Sequence, residues 1–407
     1  YMICGSHSHN SYLQLLSETG LIGFIFLFSI FLYISYNLLK LFLQRNYFKK
    51  LTNYHDESQN SILGFEKLIY HPEKIIGVKQ GKNAFPITAT VSLGNYCNHA
   101  CLWCSTYFWQ QETSNTIDYN KLTKWVNKAS LHGLKSIIYV GNGEPLAYKK
   151  FPDLTKFIFE KKLDQGIFTN GFLINRYLQE LEKFFTFVRI SLDAGSSKVH
   201  SKLHDVSESH FPKIIDNIKN LVKKRKNKIP TIGIQFATHQ ENINDIENSV
   251  KIAKDIGVDY FSIKPVFDRG SVNKKIKKNN LSKNDFDKAF ENVAKYISKE
   301  FKIFYRPQQI ISESNNQNML IYNKCYAGFF GVNVYEDGSI TGCGPHHIPV
   351  GDLDTPLKKL EKNIINLSNK LDLKNCPSGC RYHPLNFQLH KILNSNSFSK
   401  EEHINLF

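Results

Sequence analysis

The stretch ITATVSLGNYCNHACLWC, Ile87–Cys104, decides the fold. It opens with a β-branched run, Ile87–Leu93, that is typical of a strand. It ends with Cys97, Cys101 and Cys104, three of the eight cysteines in the chain. Thiolates are strong metal ligands, and the end of a strand is a common position for a site. The stretch therefore predicts a metal site placed directly after the first strand of a β/α fold.

Short apolar runs alternate with amphipathic helical stretches from about residue 61 to residue 301. The series predicts six β/α units and a parallel sheet with helices outside it. The fold class is α/β, a partial (β/α)6 TIM-like barrel, with its chemistry expected at the carboxyl ends of the strands. Strands are predicted at Ile87–Leu93, Ser136–Gly141, Gly166–Asn170, Phe187–Asp193, Thr231–Ala237 and Asp259–Val266; helices are predicted at Tyr119–Leu131, Leu154–Lys162, Leu173–Phe184, Phe211–Lys224 and Ile243–Ile256.

The spacing C-x3-C-x2-C narrows the chemistry of the three clustered cysteines. A disulfide does not fit, because this region is predicted to be cytoplasmic and reducing. Structural zinc usually takes four ligands, and no fourth partner is near in sequence. A [4Fe–4S] cluster normally takes four cysteines, so three cysteines would leave one iron open to a small molecule.

C-x3-C-x-aromatic-C after the first strand of a β/α series resembles the radical S-adenosylmethionine (SAM) superfamily. The resemblance implies a [4Fe–4S] cluster on Cys97, Cys101 and Cys104 that binds SAM at its open iron. It also implies an electron donor such as flavodoxin or ferredoxin, and reductive cleavage of SAM to a 5′-deoxyadenosyl radical that abstracts hydrogen from the substrate. Trp103 fits the aromatic residue that the family places beside the adenine, and a packed core role is equally compatible.

Three further motifs lie at successive predicted strand ends. The GNGEP motif, residues 141–145, resembles the Gly-Gly-Glu motif that receives the SAM ammonium, with Asn142 inserted. TNG, residues 169–171, ends the third strand, and SLDA, residues 191–194, ends the fourth, where the family contacts the ribose and carboxylate of SAM. Each motif alone could be a turn. The predicted SAM contacts are Trp103, Gly141, Gly143, Glu144, Asn170 and Ser191, and no residue is assigned as catalytic.

A second group of four cysteines lies near the C-terminus. Alternation in GVNVYEDGSITGC predicts a hairpin that turns at Asp337-Gly338. The C-x12-G-x4-C arrangement resembles the start of the SPASM/Twitch extension of radical SAM enzymes, which implies a small C-terminal Fe–S domain with a second, auxiliary [4Fe–4S] cluster. On ligand count alone, zinc stays open. The predicted ligands are Cys325, Cys343, Cys376 and Cys380, with His346, His347 and His383 as supporting or surface groups.

A closed auxiliary cluster suits electron transfer, and we hypothesise a net two-electron oxidation of the substrate. Epimerisation would need a hydrogen-atom donor, and every cysteine after the N-terminal segment already has a role, although a tyrosine could serve. Lys264 marks the strand end where the substrate should lie, while Arg189 and Gln235 face the barrel cavity or pack inside it. The basic run Lys274–Lys278 could bind phosphates of the substrate.

The segment LIGFIFLFSIFLYISYNLL, Leu21–Leu39, runs without charge for nearly the thickness of a hydrocarbon core, about 30 Å. Arg45, Lys49 and Lys50 follow it, which predicts a single-pass inner (cytoplasmic) membrane protein whose catalytic part is cytoplasmic. A buried core helix is the alternative. Residues 6–34 resemble the end of the O-antigen ligase and polymerase family, which implies a small-molecule or carrier-linked, sugar-like substrate in surface-polysaccharide synthesis.

The resulting domain organisation is an O-antigen-ligase-like fragment with a transmembrane helix (1–43), a linker (44–60), a radical SAM partial barrel (61–310) and a SPASM/Twitch-like domain (311–407). The formal charge of +16 is spread over plain helix faces, so a nucleic acid is not a predicted partner. Two alternative functions stay open. One is a SPASM-type peptide maturase, and the other is a non-catalytic metal-binding tail of a membrane glycosyltransferase fragment.

Overall fold

The computed structural model describes residues 65–82, 84–104, 106, 115–266, 279–305, 322–376, 380 and 382–393. The chain divides into two compact units, Tyr1–Gly64 and Phe65–Phe407, and all described residues belong to the second. The predicted membrane helix, the linker and the basic run Lys274–Lys278 lie outside the described residues.

A ten-stranded sheet organises the described part of the chain. Its strands are β1 (Thr88–Val91), β2 (Ser136–Tyr139), β3 (Asp164–Thr169), β4 (Phe187–Ser191), β5 (Thr231–Thr238), β6 (Tyr260–Pro265), β7 (Lys302–Tyr305), β8 (Gly331–Val334), β9 (Ser339–Cys343) and β10 (Ile348–Asp352). Their order is β10-β9-β8-β1-β2-β3-β4-β5-β6-β7. Strands β1 to β7 pair in parallel, β8 pairs in parallel with β1, and β9 and β10 add antiparallel pairs. The carboxyl ends of β1 to β7 therefore meet at one edge.

Helices connect the parallel strands. The α-helices are α1 (Pro72–Lys79), α2 (Tyr119–His132), α3 (Phe151–Glu160), α4 (Leu178–Phe184), α5 (Ser197–His204), α6 (His210–Lys224), α7 (Ile246–Ile256), α8 (Lys283–Ala294), α9 (Ala327–Phe330), α10 (Leu357–Lys370) and α11 (His383–Leu393). Short 3₁₀ helices lie at Phe65–Tyr70, Pro145–Ala147, Ile174–Tyr177, Ile243–Asp245 and Leu373–Asn375.

Strand alternation separates a core face from a more open face of the sheet. In β4, Val188 and Ile190 are fully buried, whereas Arg189 between them is half-buried. Val188 and Ile190 share one cluster of buried apolar side chains with Ile214 and Ile218 of α6. The helices therefore cover one face, and the residues between the core positions point to the other face.

The predicted α/β class and its mostly parallel sheet are confirmed. All six predicted strands and all five predicted helices overlap observed elements, and the hairpin turns as expected at Gly338, whose φ is +86°. The prediction did not cover every observed element. Within the β/α series it lacked β7 and α5, because KIFY is only four residues long and SKVHSKLH lacks a clear apolar stripe. Outside that series it lacked α1, α8, α9, α10, α11 and β10. In addition, β8 joins the main sheet through β1.

The predicted membrane placement is corrected. In the part of the chain that the structure describes, no helix has both the length and the apolar character needed to cross a membrane. The prediction rested on the segment Leu21–Leu39 alone, which lies outside those residues.

Candidate active site

The cysteine loop after β1 is docked on the C-terminal end of α5. The backbone N–H of Ala100 donates to the carbonyl of His204 at 3.0 Å, and that of Leu102 donates to the carbonyl of Leu203 at 2.9 Å. The last carbonyls of a helix have no partner within the helix. The loop satisfies two of them and is held there as a consequence.

The loop places the thiols of Cys97, Cys101 and Cys104 close enough to affect one another electrostatically. Burial raises the pKa of Cys97 to about 12 and that of Cys101 well above its usual value, and the neighbouring thiols of the set add to both shifts. Deprotonation at such a site needs a compensating positive charge. A bound iron ion supplies that charge and takes thiolates as ligands, so the donor set fits an iron–sulfur cluster.

The GNGEP motif packs directly against the backbone that precedes Cys97. The N–H of Glu144 donates to the carbonyl of Tyr96 at 2.9 Å. A Cβ on Gly143 would lie 2.2 Å from that same oxygen, and a Cβ on Gly141 would lie 2.3 Å from the side chain of Ser92. Both positions therefore require glycine, because the neighbouring atoms leave no room for a Cβ.

The carboxylate of Glu144 holds the end of β3. Its Oε1 accepts from the Thr169 hydroxyl at 2.7 Å and from the Leu146 N–H at 3.0 Å, and its Oε2 accepts from the Asn170 N–H at 2.8 Å. Burial raises the pKa of this carboxyl group. The side chain of Asn170 in turn lies 4.0 Å from the Cys97 thiol and 2.8 Å from the carbonyl oxygen of the Asn98 side chain. Glu144 thus connects two motifs to the cysteine loop.

The inserted Asn142 makes hydrogen bonds to two separate segments of the chain. Its side-chain amide donates to Glu336 Oε1 at 2.8 Å, in the turn between β8 and β9. Its carbonyl accepts from the Thr106 hydroxyl at 3.3 Å, and that hydroxyl lies 3.3 Å from the Cys104 thiol. This departure from the family motif therefore links the cysteine loop to the C-terminal hairpin.

Trp103 and the end of β4 meet at Asp193. The Trp103 side chain hydrogen bonds to the carboxylate of Asp193, which also accepts from the Ala237 N–H at 2.7 Å. Burial raises the pKa of Asp193 to about 6, and the nearby charge of Lys264 opposes the shift. Ser191 ends β4, level with Gln235 of β5. Lys264 and the SLDA motif therefore lie near Trp103 of the cysteine loop.

Four histidines beside the cysteine loop were missed as site residues in the sequence analysis. His204 Nδ1 lies 3.2 Å from the Cys101 thiol and 3.2 Å from His99 Nδ1. His200 stacks on His204 at 4.2 Å between ring centroids, and His210 Nδ1 lies 3.4 Å from His99 Nε2. Two signals were present in the sequence: the i, i+4 spacing of His200 and His204, and the position of His99 between two cysteines.

The four C-terminal cysteines line one small cavity. Burial raises the pKa of Cys343 to about 11 and that of Cys376 to about 12, and neighbouring thiols of the group contribute to both shifts. The side-chain amide of Asn386 donates to the Cys325 thiol at 3.3 Å. These donors fit a second thiolate-bound metal group with four protein ligands. His346 and His383 line the same cavity, and the backbone N–H of His346 bonds to Cys343.

Comparison with known proteins identifies the domain. Residues 91–253 match the Radical SAM superfamily. The chain therefore contains a radical SAM domain, and this match supports the predicted class of enzyme and its predicted use of SAM and an iron–sulfur cluster. The predicted likeness of the first residues to an O-antigen ligase has no support in these comparisons, and those residues lie outside the described ones.

Two relatives and one solved structure illustrate the range of similar proteins. The S-adenosylmethionine-dependent nucleotide dehydratase of Selenomonas ruminantium is 25% identical over 165 residues, 40% of this chain and 59% of the relative. The sporulation killing factor maturation protein SkfB of Bacillus subtilis (strain 168) is 23% identical over 303 residues, 72% of this chain and 68% of the relative. SuiB of Streptococcus suis bound to S-adenosylmethionine has the same fold, with a TM-score of 0.58 at 20% identity over 85% of each chain. The chain thus spans little more than half the length of the dehydratase.

Proposed function

We propose that this chain reductively cleaves SAM at a [4Fe–4S] cluster held by Cys97, Cys101 and Cys104 and uses the product radical to abstract hydrogen from a substrate. One observation carries the proposal. The thiols of Cys97 and Cys104 each contribute to the raised pKa of a neighbouring cysteine of the set, and the loop that carries them packs against the GNGEP motif and Asn170. When bound, the cluster and SAM supply a 5′-deoxyadenosyl radical, and a donor such as flavodoxin or ferredoxin supplies the electron.

The protein's part in this chemistry is binding and orientation. The backbone of residues 141–144 lies against the cysteine loop and can receive the SAM ammonium through its carbonyl groups. Glu144 fixes the backbone of Asn170, and Asp193 fixes Trp103. Such preorganised contacts set the geometry of the reacting atoms. Gly141, Gly143 and Ser191 complete the proposed SAM site.

We assign Cys325, Cys343, Cys376 and Cys380 to an auxiliary [4Fe–4S] cluster. Four thiol ligands leave no open position for a substrate, so the group is suited to electron transfer. The substrate radical would pass one electron to it and lose a proton, which gives a net two-electron oxidation together with the abstracted hydrogen atom.

The substrate is proposed to lie on the open face of the sheet, in a partial (β/α)6 barrel. Near the amino ends of the strands, the Phe187 ring fills the space over Gly166 and the Tyr260 ring fills the space over Gly233. Further along β4, Arg189 lies 3.4 Å above the centre of the Phe168 ring. These contacts place aromatic rings and the Arg189 cation on the strand face that we propose for the substrate.

A peptide is the substrate class that we place first. The likeness to SkfB, a maturation protein, runs over 72% of the chain and so extends past the radical SAM domain. SuiB, whose fold this chain shares, has also been crystallised with its precursor peptide. The sugar-like substrate rested on the first residues alone and has no support among these relatives. A nucleotide is the second candidate, because the dehydratase acts on a nucleotide.

The test is formation of 5′-deoxyadenosine by the anaerobically reconstituted protein with SAM and dithionite. We expect activity in the wild type and in Cys325→Ala, and loss of it in Cys101→Ala. Retention in Cys101→Ala would contradict the cluster assignment. Adding a peptide pool, GTP or a nucleotide sugar in parallel then ranks the substrate classes, since the true class accelerates SAM cleavage above the rate without substrate.

A further inference from the structure

His204 lies beside a proposed ligand of the SAM-binding cluster. It is the last residue of α5, it is 1% exposed, and its Nδ1 lies 3.2 Å from Cys101 Sγ. This is within the range of a hydrogen bond to sulfur. Burial also raises the pKa of Cys101 well above its ordinary value.

The imidazole is fixed by the same contacts that dock the cysteine loop. The carbonyl of His204 accepts from the Ala100 N–H, one residue before Cys101. The ring of His200 stacks on it with an interplanar angle of 11°. These contacts therefore fix the position of the His204 ring relative to the Cys101 thiol.

The direction of the hydrogen bond follows from the chemistry of the ligand. An iron-bound thiolate carries no proton and can only accept, so Nδ1 of His204 must carry the hydrogen. His99 Nδ1, which is also 3.2 Å from His204 Nδ1, can then only share that same hydrogen, so the hydrogen of His99 lies on Nε2, 3.4 Å from His210 Nδ1. Nε2 of His204 lies 3.7 Å from Asp193 Oδ2, and the ring also interacts with the backbone of Leu192.

We propose that His204 is a positioning residue that donates a hydrogen bond to the Cys101 thiolate and raises the reduction potential of the SAM-binding cluster. The inference rests on the proposed function, since it presupposes that cluster. One-electron reduction adds negative charge to the cluster and its thiolates. A fixed N–H donor stabilises the more negative state more strongly, and hydrogen bonds to sulfur are among the factors that set such potentials.

The test compares midpoint potentials of the cluster, measured by redox titration with EPR detection, in a background in which Cys325 and Cys343 are both replaced by Ala to remove the auxiliary cluster. His204→Leu removes the donor, and we expect its potential to fall by about 59 mV, the equivalent of a tenfold change in a one-electron equilibrium. His204→Asn places an amide N–H close to the Nδ1 position, and we expect it to recover most of the potential. His132→Leu is the control, because His132 ends α2 and contacts Phe85 and Glu361 instead of the cysteine loop, and we expect this variant to keep the wild-type potential.

Equal potentials in His204→Leu and wild type would overturn the inference while leaving the cluster in place. If neither His204 variant retains iron, ENDOR spectroscopy of the reduced, ¹⁵N-histidine-labelled wild type decides. A histidine nitrogen weakly coupled to the cluster, together with an exchangeable proton, would support the hydrogen bond. A histidine nitrogen bound directly to iron, or no coupled nitrogen at all, would overturn the inference. A wild type without iron would instead contradict the proposed function itself.

Discussion

The side-chain amide of Asn142 donates to the carboxylate of Glu336 at 2.8 Å, and this bond joins the loop after β2 to the turn of the β8–β9 hairpin. Asn142 is 3% exposed, and the second carboxylate oxygen of Glu336 is buried without a hydrogen-bond partner among the described residues. The proposed SAM loop is therefore in direct contact with the hairpin that carries Cys343.

We expect Asn142 and Glu336 to be energetically coupled. A hydrogen bond to a charged group contributes about 1.5–3 kcal/mol, and Asn142→Ala would leave a buried carboxylate oxygen pair unsatisfied. A double-mutant cycle with Asn142→Ala and Glu336→Ala, followed by chemical denaturation, should give a coupling energy of at least about 1 kcal/mol. Additive single effects would show that the bond does not form in solution.

Gly143→Ala should weaken SAM binding by about tenfold or more, because the new Cβ would lie 2.2 Å from the Tyr96 carbonyl and displace the cysteine loop. Equilibrium dialysis of labelled SAM against the reconstituted protein measures the effect. The matched control is Gly344→Ala, whose Cβ would meet its nearest neighbour at an ordinary 3.5 Å. Similar affinities in both variants would contradict the packing argument.

The buried histidines should make the apoprotein sensitive to acid. Burial lowers the pKa of His200 to about 4, below the value of about 6.5 in an unfolded chain. The unfolded state then binds more protons between these values, so stability is lost as the pH falls below 6.5. The wild type should therefore lose part of its free energy of unfolding between pH 7 and pH 5. In His200→Leu this loss should be smaller by about 2 kcal/mol. Denaturation curves at both pH values test this, and parallel losses would refute it.

The sequence predicts the repeating part of the molecule well. Strands such as Phe187–Ser191 and helices such as His210–Lys224 carry strong apolar periodicity, and periodicity alone locates them. The cysteine spacing likewise points to two separate thiol groups. Within each group the cysteines lie close to one another. The first group lies in the loop after β1, and the second lines one cavity near β9.

Contacts between distant segments could not be predicted. Nothing local in SKVHSKLH shows that α5 ends beneath the cysteine loop, since this depends on tertiary hydrogen bonds to Ala100 and Leu102. The role of Asn142 is hidden for the same reason, because its partner Glu336 lies 194 residues away. The predicted membrane placement failed differently. It extended a hydropathy pattern in the first 39 residues to the whole chain.

The most direct test of the account is the iron and sulfide content of the chain after anaerobic reconstitution. We predict about eight irons in the wild type, about four when Cys325 and Cys343 are replaced by Ala, and about four when Cys97 and Cys101 are replaced instead. Only the variant that keeps Cys97 and Cys101 should cleave SAM. Iron content that is unchanged by the loss of Cys97 and Cys101 would contradict the central claim, and zinc bound at the C-terminal cysteines would contradict the auxiliary cluster alone.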